Sequence, residues 1–190
     1  MDTQTIRHAE IICPHFTEAT ARESVERVRR PALFHRERKW LSSIPLYIPF
    51  WLVDVEMDLR APRQGVVRRT YTIMVNAITN RGMLLKGRLE TAQVRTRAIF
   101  MDHEVSAADA RETARLEALV DTKRMIKPPP HRVLSGERLV WYPLALVELE
   151  IAGRRDVQVF DYYRGGLDKM TMRFFKMKEK LAEKSGAQAG

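Results

Sequence analysis

The sequence predicts an α+β fold: two copies of a (β)-α-β-β unit forming an antiparallel sheet packed by helices, plus a C-terminal helix. Three observations carry this. A proline-marked apolar run, Ile44–Asp58, returns as Arg138–Ile151. The helix-like segment ahead of each run also repeats, and each run is followed by a partner strand that ends in glycine. Matching of several elements in the same order is the mark of internal duplication.

The chain opens with a polar stretch ending in HAEIIC, which predicts a short strand. FTEATARESVERVRR then predicts a helix, with Thr17 as N-cap, Glu18 in the first turn, and Arg29 and Arg30 in the last. Ala21, Val25 and Val28 recur at helical spacing and form its inward stripe, and Pro31 ends it. The same pattern returns 89 residues on. Ala19, Ala21, Arg22 and Glu23 correspond to Ala108, Ala110, Arg111 and Glu112, with Ser106 as the second N-cap and Asp109 as a short-armed capping partner.

In Ile44–Asp58, Trp51, Val53, Val55 and Met57 share one side of a period-two pattern, and Phe50, Leu52, Asp54, Glu56 and Asp58 share the other. In the second run Ala145, Val147, Leu149 and Ile151 face Leu144, Leu146, Glu148 and Glu150. Pro49 corresponds to Pro143, 94 residues on. Because proline cannot donate to a ladder, each is expected at an edge, a bulge or the first paired position. Hairpins follow, through APRQG to VVRRTYTIMVNAI and through AGRR to VQVFDYY, ending in Asn80-Arg81-Gly82 and Arg164-Gly165-Gly166.

Residues 88–100 read as strand or helix, with strand preferred because Val94, Thr96, Ala98 and Phe100 alternate. Lys127–His131, KPPPH, reads as a stiff connector. Met170, Phe174, Met177 and Leu181 stripe the C-terminal helix, and SGAQAG is expected to be disordered. The domain reading is a first repeat over 1–102, a second over 103–184 with the C-terminal helix, and a tail over 185–190.

At 190 residues, 45% of them hydrophobic and 30% charged, the chain suits a globular protein with a substantial core. Its net charge of +9 favours acidic partners, although the arginines are scattered, which is equally the pattern of a solvated basic surface. The single cysteine, Cys13, excludes an intrachain disulfide and reads as a small buried apolar residue. The first residues lack the basic start and apolar core of a signal peptide, and Leu41–Val53 is too short to span a bilayer; a cytoplasmic protein is expected.

The segment with A-x-A-R-E near a helix start, then YIPFWLVDVE, then VNAITNRG resembles the PepSY repeat and the wider cystatin-like layout. That family's last strand reads V-D-A-x-T-G, with Asn76 here in the Asp place; VFDYYRGG departs further from it. The resemblance implies a module that binds or inhibits proteins and brings no catalytic residues.

Reactive constellations are sparse. The sequence has no phosphate-binding glycine loop and no nucleophile elbow, and its five histidines lack metal-ligand spacing. The candidate partner-binding residues are Asp54, Glu56, Glu148 and Glu150 on equivalent strands, with Phe50 and Tyr142 among the interleaved aromatics. The simpler reading of the acids is cross-strand pairing with Arg68, Arg69, Arg154 or Arg155. The expectation is a non-enzymatic binding or scaffolding protein without cofactor, with a protein partner or a homodimer. The alternatives are a nucleic-acid binder using a basic and aromatic sheet face, and an enzyme using Glu56 and Glu150 in a cleft between the repeats.

Overall fold

The computed structural model describes residues 5–27, 38–61, 65–85, 89–120, 130–169 and 171–173. The elements are β1 (Thr5–Ile12), α1 (Glu18–Glu26), β2 (Arg38–Ala61), β3 (Gly65–Asn76), β4 (Gly82–Leu84), β5 (Thr91–Phe100), α2 (Ala107–Val120), β6 (His131–Val133), β7 (Arg138–Ile151), β8 (Arg154–Asp161) and β9 (Gly166–Leu167). Of the described residues, 58% lie in strands and 19% in helices.

These proportions correct the α+β expectation: the fold is mostly β, with nine strands in a mixed sheet. β2 starts at Arg38, ahead of the apolar run, and continues to Ala61, giving 24 residues. The ambiguous stretch is strand from Thr91, where threonine, valine and isoleucine suit a pleated surface, and it pairs with β1 along that strand's whole length. Helices α1 and α2 have 9 and 14 residues, and Lys169 and residues 171–173 are also helical. The sheet is mixed rather than antiparallel because β1 meets β7 in parallel at Ile11 and Trp141. The first helix ends earlier than expected: α1 stops at Glu26, with Arg27 as its C-cap in extended backbone, so Arg29 and Arg30 are not in its last turn. The expected C-terminal stripe at Met170, Phe174, Met177 and Leu181, the tail and most of KPPPH lie outside the described residues.

The chain forms two compact units. One comprises Met1–Cys13 and Tyr47–Tyr142; the other comprises Pro14–Leu46 and Pro143–Gly190. Each therefore draws on both halves of the sequence.

In the first unit β2 pairs antiparallel with β3 from Phe50↔Asn76 to Ala61↔Gly65, and β6 lies on β2 at Val55–Met57. Val53, Val55 and Met57 of β2 and Ile73 and Val75 of β3 are buried against α2. That helix presents Ala110, Ala114 and Ala118, one turn apart, so its backbone approaches the sheet closely. Gly82 extends the fit, since a Cβ there would sit 2.5 Å from Glu117 Cγ. A second cluster gathers Ala9, Ile11, Ala98, Phe100 and Trp141 on one face of β1 and β5.

In the second unit β7 and β8 form the hairpin, from Leu144↔Asp161 to Ile151↔Arg154. Ala145, Val147 and Leu149 pack with Phe160, with Trp40 from β2 and with Ala21 of α1. Burial of each large aliphatic chain contributes about 1.5–3 kcal/mol, so these clusters are the main source of stability. The turn at Ala152-Gly153 has positive φ at both residues, 51° and 75°, as a tight two-residue hairpin requires.

Corresponding positions make corresponding bonds. Each proline precedes the first hairpin pair, and its carbonyl accepts from the residue after the partner strand: Ala77 to Pro49 at 3.0 Å, Tyr162 to Pro143 at 3.2 Å. The Ala77 carbonyl accepts from Glu104 and Val105; the Tyr162 carbonyl accepts from His15 and Phe16. Each helix start is thus tied to a strand end. Thr17 and Ser106 then cap, accepting from the Thr20 and Asp109 amides.

Candidate functional site

Asp54 and Glu56 project from the polar side of β2. Asp54 is exposed and accepts a hydrogen bond from the Thr72 hydroxyl at 2.6 Å. Glu56 is gripped by two guanidiniums, Arg132 at 2.8 Å and Arg68 at 3.4 Å, and Arg68 also holds Asp58 at 2.9 Å. The hydrogen bond from Arg68, with its charge, keeps the Asp58 carboxyl below the usual carboxylate range. In the second unit Glu148 accepts from Ser42 at 3.2 Å and pairs with Arg155 at 3.4 Å, and Glu150 lies opposite Arg155 in the β7–β8 register. Arg69 and Arg154 make no ion pair with a described residue. Arg132 was not foreseeable, because β6 reaches β2 from 76 residues away.

Phe50 and Tyr142 stack obliquely at 5.6 Å in the first unit, and both are buried, 8% and 7% exposed, which leaves little ring surface to a partner. Trp51 lies half-buried and donates its indole N–H to the Val105 carbonyl at 3.0 Å, fastening β2 to the entry of α2. Tyr47 stacks on Phe100 at 5.0 Å, and burial raises its hydroxyl pKa.

The first unit also contains a pocket of about 660 Å³. Its walls include Leu52 and Asp54 of β2, Thr72 of β3, Cys13 and Thr91 at the adjoining ends of β1 and β5, and Arg138 of β7. Cys13 is only half-buried here, and its amide donates to the Glu90 carbonyl at 2.9 Å. Arg138 reaches Glu10 at 2.6 Å, and the Thr91 hydroxyl donates to the same carboxylate at 2.7 Å. Of the candidate residues read from sequence, the pocket collects Asp54. The others come from strands far apart in the chain, and only the alternation that sets Leu52 and Asp54 on one side hinted at them.

Among the described residues no group of three histidine, cysteine or carboxylate side chains is placed to hold a metal ion. No helix of the described residues is long and apolar enough to cross a membrane. Comparison with protein-family models, with curated proteins and with solved structures gave no match.

Proposed function

We propose that the chain is a non-enzymatic binding module, acting in the cytoplasm on a separate molecule, with the pocket of the first unit as part of its recognition surface. The pocket carries the reading: a concave site of about 660 Å³ with hydroxyls, a thiol, carboxylates and a guanidinium on its walls offers hydrogen-bond partners of both kinds. The strand carboxylates support it. Arg132 and Arg68 engage Glu56, and Arg68 holds the Asp58 carboxyl below the usual carboxylate range, which suits it poorly to deliver a proton. The strings YIPFWLVDVE and VNAITNRG, similar to PepSY repeats, point toward binding as well.

The test is a thermal-shift screen against pooled polar metabolites, peptides and oligonucleotides, with mass spectrometry of each pool afterwards. Stabilisation by a ligand recovered unchanged, and weakened by Asp54→Leu, supports the reading. Conversion of any ligand to product overturns it.

A further inference from the structure

On the face of β1 and β5 opposite the Phe100 cluster, antiparallel register sets Ile6 beside Arg97 and His8 beside Arg95. Partners in such a ladder share a face, and alternate residues along a strand stand about 6.8 Å apart. All four side chains are exposed, Ile6 by 61%. Among the described residues, neither Arg95 nor Arg97 makes an ion pair. The carboxylate that β1 contributes to this face, Glu10, is already paired with Arg138 and accepts a hydrogen bond from the Thr91 hydroxyl. A basic strip with one apolar side chain at its end therefore runs toward the pocket wall at Thr91 and Arg138.

We infer that this strip binds single-stranded nucleic acid, a partner that deepens the binding reading above and rests on it. Two guanidiniums at strand spacing meet successive backbone phosphates in bidentate fashion. Their planes and the His8 ring also offer flat contacts, and Ile6 an apolar one, to unstacked bases, which a single strand exposes and a duplex hides. An acidic peptide matches the charge but has no base faces to cover Ile6 and His8. The whole-chain charge of +9 steers a polyanion toward the surface.

The experiment measures fluorescence anisotropy of a labelled mixed-sequence single-stranded DNA with the full chain across a salt series. Arg95→Gln/Arg97→Gln is compared with Arg69→Gln/Arg111→Gln, a control that removes the same charge elsewhere, and circular dichroism checks folding of both. The strip variant is expected to bind at least about tenfold more weakly at low salt and to lose about 1.4 from the salt slope, two phosphate contacts at roughly 0.7 each. The control is expected to change affinity by less than about threefold. Equal losses in the two variants, absence of binding by the parent chain at low salt, or equal affinity for the matching duplex or for a polyglutamate peptide would each overturn the inference. Turnover in the ligand screen strikes the broader reading instead, so the two failures are distinguishable.

Discussion

After β3, the Asn76 side chain accepts from the Ile78 and Thr79 amides; after β8, Asp161 accepts from Tyr163 and Arg164 in the same way. Each turn then passes through a residue of positive φ, Asn80 at 53° and Gly165 at 77°. The backbones agree and the fillings differ. Asn80 keeps a side chain, and its amide oxygen accepts from Thr113 of α2 at 2.9 Å. Gly165 has none to spare room for: a Cβ there would lie 2.1 Å from the Phe16 ring. At the position corresponding to Phe16 the first unit has the smaller Val105. One solution is a small residue beneath an asparagine bridge, and the other is a large ring seated on bare backbone. Where the turn residue carries a side chain the residue at the helix entry is small, and where it carries none that residue is large, a trade that close packing favours.

The largest effect expected from this comparison is at Gly165. Gly165→Ala meets both the left-handed backbone and the ring, and should cost about 3 kcal/mol in urea unfolding. Adding Phe16→Val should return part of that loss; if it returns none, the ring is not what excludes a side chain. Asn80→Ala, which lacks the overpacking, should cost only about 1–2 kcal/mol, and a cost equal to that of Gly165→Ala would break the comparison.

Next come the two turn acceptors. Asp161 is buried, whereas Asn76 is half-buried. Asp161→Ala should therefore cost about 2–3 kcal/mol and Asn76→Ala about 1 kcal/mol, measured in the same denaturant series. A smaller gain is expected at the β7–β8 turn, where Ala152 holds a φ of 51°. Ala152→Asn creates the Asn-Gly pair that such turns favour, and should raise stability by about 0.5–1 kcal/mol, or a few degrees in melting temperature.

How far these features were legible in the sequence depended on their range. The alternation in β2 and β7 followed from period two alone, since Val53, Val55, Val147 and Leu149 are all fully buried. The caps at Thr17 and Ser106 are local signals and stood out for the same reason. The fold class did not, because the length of β2 is decided by partners distant in sequence, whereas the strand preferred for residues 88–100 from alternation is found from Thr91. Which helix covers which hairpin was equally hidden: α2 packs on β2–β3 and α1 on β7–β8, although periodicity gives each helix only an inward stripe. The pocket escaped notice because Cys13, Thr72 and Arg138 share no motif and meet only through strand order. Arginine pairing of the strand acids was readable in kind for Arg68 and Arg155, since hairpin register sets them diagonal to Glu56 and Glu148, while Arg132 depended on β6.

The smallest effect concerns charge. Asp58 in the β2–β3 hairpin sits 2.9 Å from Arg68, closer than Glu148 to Arg155 in β7–β8. The depressed Asp58 pKa means that its contribution to stability is present above the unfolded-state value and is lost as pH falls through the folded-state value. Arg68→Gln should move that titration upward toward the ordinary carboxylate range, read by NMR of the Asp58 side chain. An unmoved titration would remove the guanidinium as its cause. Because the group is exposed, added salt should narrow the difference.

The half-buried thiol on the pocket wall gives the molecule a built-in gauge. As the chain's sole cysteine, Cys13 can take a dye at one defined place without any engineering. The speed at which it reacts follows how open the cavity mouth is. An occupant seated between Asp54 and Thr91 would slow that reaction in proportion to its residence, turning a chemical clock into a titration curve.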